Sequence, residues 1–459
     1  IGFTGTLSHD FLHFPTVFRL PDQILQRLYV SPLQAGDFIL GYLLPLMPML
    51  ILCYVSPSRE NNPGRYPDSI FYPQNGGIFL IVLGGLFIAS IVFRLVTDKK
   101  LGGKNFLREK RSLSGSMIIL GLSYLISGIG LEQYPQLAGK NLTFAALQFA
   151  AVFGMYFFFC GSVQWKRVPK GYLAWSCVAA GWVVLLQLLE NYLSGRIFVG
   201  SSMDRELIAT GWGMHNNIGC MMAIMMPFGF YLASVHKKGW LFHLLGSGLL
   251  LGTMLSCSRT SMFVAMLAYL FCAVLLLRNP QSRRANLWVY IGSVAAVAVL
   301  VILFADKIWS VFERFISQMG NISQRDNLIH YGIRQFLEEP LFGGSFYPQG
   351  KYVPWDWSNL DSFSSFFPPR WHSTIVQILA SCGAVGISAY GLHRFKTLKL
   401  FWKQRSRENT YIAISIGALL MASLLDCHFF NVGPVLYYSM ALAFVEKMPR
   451  KQNNQEYQE

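Results

Sequence analysis

The sequence predicts an all-α integral membrane protein, a polytopic bundle of about 12 transmembrane helices with one large extracytoplasmic loop. Only 13% of its 459 residues are charged, whereas 53% are hydrophobic and 15% are aromatic. An average globular chain carries roughly 25% charged residues. The apolar residues form repeated blocks, and about 20 such residues in a helix cross a hydrocarbon core of roughly 30 Å. This pattern excludes a secreted disulfide scaffold, a disordered chain and a cytosolic enzyme with a distinct catalytic domain.

Twelve apolar runs without interior charge are the predicted spans. They lie near 38–54, 77–93, 116–131, 142–163, 172–189, 212–235, 240–255, 262–277, 287–305, 374–392, 411–425 and 429–445. The predicted division is a cytoplasmic or interfacial segment over 1–37, helices one to nine over 38–305, the large loop over 306–371, helices ten to twelve over 372–446 and a cytoplasmic tail over 447–459. Because twelve is even, both termini are expected on one side of the membrane.

The net charge of +15 is explained by topology rather than by nucleic acid, which is not an expected partner. Connections rich in Lys and Arg alternate with connections that contain few. The rich ones are 94–111, 166–170, 237–238, 278–284 and 394–407. Since cytoplasmic loops carry the excess of basic residues, the sequence predicts a multi-pass protein of the cytoplasmic (inner) membrane with both termini cytoplasmic.

Common soluble-enzyme signatures are missing from the sequence. It contains no Walker loop, no GxGxxG after a strand, no HExxH and no GxSxG. The eight Cys form no CxxC pattern, so buried thiols are expected. Nucleotide hydrolysis and ordinary soluble hydrolase chemistry therefore lose support.

The large loop at 306–371 is the segment where function is expected to concentrate. Its first half predicts a helix between Arg325 and the breaker Pro340. Its second half is aromatic, which favours either an interfacial belt or a surface on which sugar rings or an acyl chain stack. The aromatic residues are Phe342, Phe346, Tyr347, Tyr352, Trp355, Trp357, Phe363, Phe366, Phe367 and Trp371.

Two arginines on the predicted outer side are candidates for binding an anion. Arg259 follows Ser258 in the tight connection before the eighth span, where a Ser258 cap, the helix dipole and the guanidinium would together suit an anion. Arg325 opens the loop helix with a planar fork that matches phosphate oxygens. The alternatives are that Arg259 reaches the outer lipid headgroups and that Arg325 is an exposed partner of Asp326.

His372, at the outer mouth of the tenth span, can exchange a proton near neutral pH, although an interfacial histidine can also be inert. Polar residues also surround the entry of the sixth span, at 204–206 and 215–217, and Asp426 and His428 separate the last two spans. Ionisable groups at membrane depth are functional candidates. Asp and Glu at 204 and 206 have a metal-binding spacing, but no third ligand follows nearby.

Taken in order, these clusters resemble the bacterial O-antigen ligase/polymerase family of membrane glycosyltransferases, over roughly residues 205–445. The resemblance also implies a GT-C-like helix bundle with one large external loop. Three segments carry it: His215-Asn216-Asn217, Ser258-Arg259, and the signature Arg325, Glu339 to Gly344, His372, Gly383 and Gly386. The chain departs from the family where Ser373 follows His372 instead of the frequent Asn, and where Gly343 and Gly344 are adjacent instead of forming Gly-x-Gly.

The resemblance implies transfer of a glycan from an undecaprenyl-pyrophosphate donor to an acceptor glycan or glycolipid at the outer face of the cytoplasmic membrane. Arg259 and Arg325, with Arg205 third, would hold the pyrophosphate, and Asn217 would position substrate. His372 would act as general base on the acceptor hydroxyl or orient it, in a direct displacement with inversion. No metal or other cofactor is expected, because arginines can neutralise the developing phosphate charge.

A different class of protein has the same predicted span count, namely a 12-span secondary transporter or lipid-linked-glycan flippase. Transporters place charges near the midplane, whereas these spans are nearly free of interior charge and the ionisable groups line the outer rim. That distribution favours transfer chemistry at the surface. The sequence does not separate a polymerase, which joins lipid-linked repeats, from a ligase, which moves the finished glycan to another acceptor.

The predicted topology places Lys104, Lys237 and Lys399 in the cytoplasm and Lys351 and His372 outside. Each position, replaced by Cys on a Cys-free background, can be probed with a membrane-impermeant thiol reagent. We expect labelling of intact cells at 351 and 372 only, with the other three labelled after permeabilisation. Labelling of position 399 in intact cells would overturn the arrangement.

Overall fold

The computed structural model describes residues 111–130, 135–162, 171–195, 197–199, 202–203, 205–210, 212–279, 283–303, 322–348, 368 and 370–447. Its helices are α1 Ser114–Leu125, α2 Pro135–Phe149, α3 Met155–Ser162, α4 Tyr172–Leu193, α5 His215–Val235, α6 Gly239–Leu255, α7 Arg259–Leu277, α8 Arg283–Leu303, α9 Ile322–Glu338, α10 Thr374–Lys403, α11 Arg407–Leu424 and α12 Val432–Lys447. A π-helical segment, Ala150–Gly154, joins α2 to α3, and 3-10 turns occur at Arg205–Leu207 and His428–Phe430. Two antiparallel hairpins precede α5, with β1 Phe198–Val199 paired to β2 Ser202–Met203 and β3 Ala209–Thr210 paired to β4 Gly213–Met214.

The helical, membrane-protein character of the sequence prediction is confirmed. Each predicted span between 116 and 445 coincides with a helix, and the loop helix is present as α9. Among the described residues, α4, α5, α7 and α10 are long and apolar enough to cross a membrane. The spans near 38–54 and 77–93 lie outside the described residues, so the total of about 12 stays a prediction.

Helix α5 is the centre of the bundle, because 94% of its most apolar stretch is buried. Helices α4, α6, α7 and α11 pack around it. Small residues bring the backbones together: a Cβ on Gly229 would lie 2.6 Å from the Cα of Gly246 on α6, and one on Gly219 would lie 2.8 Å from the Cβ of Ser261 on α7. Such residues permit close helix packing in a membrane, where apolar burial gives no preference for helix over lipid. The start of α5 is thereby held against the start of α7.

Basic residues from three of the predicted basic connections, Lys237, Arg278 and Arg407, lie at one end of the described bundle. There the carbonyl of Ser234, in the last turn of α5, accepts hydrogen bonds from Asn279 Nδ2 (2.9 Å) and Arg407 Nη1 (3.1 Å). These bonds join the ends of α5 and α7 to the start of α11, next to Lys237 and Arg278. This clustering agrees with the alternation of basic loops in the sequence, while the side of the membrane that this end faces stays a prediction.

Helix α10 is broken at Gly383, whose φ of 63° and ψ of −156° are not helical. The break lies about 14 Å along the helix from its first residue, at 1.5 Å per residue. Three backbone hydrogen bonds connect the loop after α9 to the broken helix. They run from Gly344 N–H to the Ala380 carbonyl (2.7 Å), from Ala384 N–H to the Pro340 carbonyl (2.8 Å) and from Val385 N–H to the Leu341 carbonyl (3.2 Å).

Glycine is required on both sides of this contact. Gly343 has a φ of 71°, and a Cβ there would lie 2.4 Å from the backbone carbon of Ser381. A Cβ on Gly383 would lie 2.5 Å from the carbonyl oxygen of Leu341. Side chains strain a positive φ, and no backbone atom can yield to such an approach without shifting its helix. We call residues Pro340 to Gly344 with Gly383 the glycine interlock.

Part of the predicted aromatic surface is core instead. Phe346, Tyr347 and Trp371 are fully buried, so for them both expectations, an interfacial belt and a stacking surface, are wrong. The ring of Phe346 packs at 5.0–5.6 Å from those of Phe144, Phe430 and Tyr124, because the loop is drawn between helices by the glycine interlock. Phe342 is half-buried. The remaining residues of the set lie outside the described residues: Tyr352, Trp355, Trp357, Phe363, Phe366 and Phe367.

We expect Gly343→Ala to destabilise the protein by about 1–3 kcal/mol, as overpacking does, because the new Cβ meets the α10 backbone. The loss of stability is measured by heating detergent-purified protein and quantifying the remaining folded protein by size-exclusion chromatography. Gly391→Ala is the matched control on α10, since no atom lies within 4 Å of its Cβ position. Equal melting of Gly343→Ala and Gly391→Ala would contradict the interlock.

Candidate functional site

The starts of α5 and α7 form the first part of the site. Ser258 occupies the N-cap position of α7, but its hydroxyl makes no capping bond and donates instead to Ser261 Oγ at 2.9 Å. The predicted Ser258 cap is therefore wrong, because a closer hydroxyl takes the bond. Ser261 Oγ in turn contacts the Asn216 carbonyl at 3.5 Å. The half-buried Arg259, the first residue of α7, thus lies next to the Asn216-Asn217 start of α5.

A carboxylate between two histidines forms the second part of the site. Asp426 Oδ1 lies 3.9 Å from His372 Nδ1, and Asp426 Oδ2 lies 3.9 Å from His428 Nε2. His372 is 34% exposed, whereas the Asp426 side chain is 10% exposed and His428 is 1% exposed. His372 is therefore accessible to substrate, whereas Asp426 and His428 are buried behind it.

Hydrogen bonds between side chains and backbone groups hold the two segments of this trio in place. Thr374 Oγ1, in the first turn of α10, donates to the Asp426 carbonyl at 3.2 Å. Trp371 N–H donates to Gln377 Oε1 at 3.0 Å, which folds the residues before α10 back onto the helix. His372 lies in the left-handed region with a φ of 53°, an uncommon conformation for a residue with a side chain. Such strained residues cluster at functional sites when the surrounding structure enforces them.

The electrostatics of Asp426 keep it ionised. Burial raises the pKa of this carboxyl, but the nearby His428, the hydrogen bond from the Cys427 backbone N–H (2.7 Å), His372 and Arg370 outweigh burial and leave the pKa below its usual 3.8. A buried, ionised carboxylate beside an exposed imidazole is suited to orient that imidazole and to stabilise its protonated form.

Asn431 connects the two parts of the site. Its side-chain amide is hydrogen-bonded to Asn217 and lies 3.4 Å from His428 Nδ1. The structure therefore brings the predicted site residues Asn217 and His372 into one network. The connection runs from Asn217 through Asn431, His428 and Asp426 to His372.

The other two predicted arginines come from α9 and from a 3-10 turn. Arg325 lies in the first turn of α9, about 10 Å along that helix from Gly332 at 1.5 Å per residue. A Cβ on Gly332 would meet Trp371 and Val376, so α9 packs against the entry to α10 beside His372. Arg205 is exposed in a 3-10 turn near the end of α4, on the same end of the bundle. Asp204 lies outside the described residues.

Sequence reasoning missed two members of the site and assigned no role to two others. Asp426 and His428 were recognised as ionisable residues at membrane depth but received no role, and Asn431 and Arg370 were not singled out. Adjacency to His372 was the available signal for Arg370. No local signal pointed to Asn431. In the part of the chain that the structure describes, no three His, Cys, Asp or Glu side chains are arranged to hold a metal ion.

Residues 244–391 match the protein-family model described as O-antigen ligase. Over these residues the family resemblance stated from the sequence is confirmed. The match supports a membrane glycosyl-transferring function of the ligase/polymerase type. A comparison with curated proteins finds no match to the chain.

The O-antigen ligase match contains one part of the network and not the other. Arg259, α9, the glycine interlock and His372 lie inside the matched residues, whereas Asn217 and the Asp426 segment lie outside them. Residues outside the match therefore complete the surroundings of His372, and they come from helices on both sides of the matched segment.

Proposed function

We propose that the protein transfers a glycan from an undecaprenyl-pyrophosphate donor to an acceptor glycan or glycolipid at the outer face of the cytoplasmic membrane. The observation that carries the proposal is the His372–Asp426 pair, assembled at the end of the bundle where α7 begins with Arg259. Lys237, Arg278 and Arg407 lie at the opposite end. A lipid-linked donor needs a site embedded in the membrane with cations near one surface, and the position of Arg259 beside this end supports that assignment.

His372 acts as the general base in this proposal. Asp426 facing Nδ1 favours the tautomer with its proton on that nitrogen, so Nε2 accepts the proton of the acceptor hydroxyl. The hydroxyl oxygen then attacks the anomeric carbon of the donor sugar, and the bond from that carbon to the pyrophosphate oxygen breaks. Attack from the side opposite the leaving group inverts the anomeric centre. The carboxylate stabilises the imidazolium that forms.

The arginines act on the leaving group. Undecaprenyl pyrophosphate departs with the bonding electron pair, so charge develops on its oxygens. Arg259 and Arg325 would neutralise that charge by bidentate hydrogen bonds, with Arg205 as a third cation. The N-terminal end of α7 adds a positive dipole beside Arg259. Asn217, half-buried at the start of α5, would position substrate through its amide.

A secondary transporter or flippase is the alternative, and the break in α10 bears on it. Transporters use broken helices near the midplane to bind ions and substrates with the freed backbone groups. Here residues of the glycine interlock already bind three of the backbone groups at the break, which makes those groups unavailable to cargo. The ionisable network lies at the end of the bundle, which favours transfer chemistry.

Deleting the gene tests the proposed function and separates polymerase from ligase. We expect the lipid-linked glycan to accumulate in the deletion strain. A polymerase leaves single repeat units in that pool and shortens the surface polysaccharide, whereas a ligase leaves full-length lipid-linked glycan and removes the polysaccharide from its final acceptor. Unchanged surface polysaccharide and an unchanged lipid-linked pool would contradict both forms of the proposal.

Histidine variants test the base in the purified, reconstituted protein, with the lipid-linked glycan extracted from the deletion strain as donor. We expect turnover to rise through about pH 6–7, since imidazole titrates near 6.5 and must be neutral to accept a proton. His372→Ala and His372→Gln should each lose most turnover while still binding donor. Near-normal rates in His372→Gln would make His372 a residue that only orients the hydroxyl.

Arginine variants test the pyrophosphate site. Arg259→Ala or Arg325→Ala should slow transfer by about 10- to 100-fold, since a hydrogen bond to a charged group contributes about 1.5–3 kcal/mol. Arg→Lys should recover only part of the rate, because an ammonium lacks the bidentate fork. Arg278→Ala, after the opposite end of α7, is the matched control. Full activity of both alanine variants would remove these arginines from the site.

A further inference from the structure

His428 is the most buried member of the His372–Asp426–His428 trio, and the mechanism above does not use it. Its side chain is 1% exposed, too little to meet substrate directly. One ring nitrogen, Nε2, faces Asp426 Oδ2 at 3.9 Å, and the other, Nδ1, lies 3.4 Å from the Asn431 amide. A buried polar ring with both nitrogens directed at polar partners is held in one orientation.

The two oxygens of Asp426 have different neighbours. Oδ1 accepts the Cys427 N–H and faces His372, while Oδ2 faces His428. A carboxylate that is 10% exposed stays ionised only if donors or cations surround it. His428 is one of these groups: it faces Oδ2 and comes from the turn between α11 and α12.

We propose that His428 is a positioning residue for glycan transfer: it holds Oδ2 of Asp426, so that the carboxylate stays ionised with Oδ1 directed at His372. Through Asn431 it also ties this carboxylate to Asn217 at the start of α5. The inference rests on the proposed function, in which neutral His372 and ionised Asp426 form the active state. His428 acts on the reaction only through Asp426.

The charged and titratable groups around Asp426 come from several elements. His372 and Arg370 face it from the segment before α10, and His428 and the Cys427 thiol face it from its own turn. The Cys220 thiol approaches from α5. Burial raises the pKa of the Cys427 thiol to about 12, so this thiol stays uncharged between pH 5 and 8.5.

The direction of the pH effect follows from the protonation states. Removing His428 destabilises ionised Asp426 relative to protonated Asp426, so a second inactive state, neutral His372 beside protonated Asp426, becomes accessible. Because the active state then competes with two protonated states, the rise of turnover with pH, its acidic limb, moves to higher pH. Removing the carboxylate has the opposite effect, because an imidazolium next to no anion loses its proton more readily. The two variants therefore shift the limb in opposite directions.

The experiment measures kcat against pH from 5 to 8.5 in proteoliposomes, with the lipid-linked glycan extracted from the deletion strain as donor. His428→Leu should lower kcat by about 10- to 100-fold, as loss of a coupled neighbour in one polar network does, and raise the limb by about half to one pH unit. Asp426→Asn should lower kcat and move the limb to lower pH. His428→Gln, which keeps an N–H donor, should leave the limb near its wild-type position.

The control is His330→Leu, the same change at an exposed position of α9, which should leave both kcat and the limb unchanged. The inference is overturned if the acidic limb of His428→Leu stays in place or moves to lower pH. It is also overturned if the limb of His428→Gln moves, and this second result does not require the leucine variant to fold. The proposed function fails separately. In that case wild type shows no acidic limb, or His372→Ala keeps its turnover.

Discussion

The structure depends on satisfying the backbone groups that the break in α10 releases. A membrane interior offers no water, so every free N–H and C=O must find a partner within the protein. The loop after α9 provides those partners, and it can approach only because Gly343 and Gly383 carry no side chain. The loop is consequently part of the bundle, and Phe346 and Tyr347 are carried into the core with it.

The same contact positions the chemistry. The glycine interlock fixes the end of α9 against the middle of α10, while Gly332 of α9 packs on Trp371 next to His372. The helix that contains Arg325 therefore packs next to the segment that carries the residue proposed as base. The family signature of a proline, a glycine pair, a histidine and a later glycine has a physical meaning here, since its glycines build the joint that holds its histidine.

Asp426 shows how a charge is tolerated at this depth. Isolated burial would neutralise the carboxyl, whereas His428, the Cys427 N–H, His372 and Arg370 shift its balance toward the ionised form. Each neighbour comes from a short segment at one end of the bundle, where several helices start. At this site, the ends of packed helices carry both the Asp426 charge and the groups that stabilise it.

The sequence by itself determined the helices, because hydropathy over about 20 residues is a local property that lipid selects directly. It also supplied the loop helix, the family motifs, and Arg259, Asn217 and His372 as candidates. The tertiary structure decided which of these meet, since Asn217 and Asn431 are 214 residues apart in the chain and join only through packing. It also decided that Phe346, Tyr347 and Trp371 are core, because an apolar ring has the same local pattern at an interface and in an interior. The roles of Asp426 and His428 followed from contacts that no local window of sequence contains.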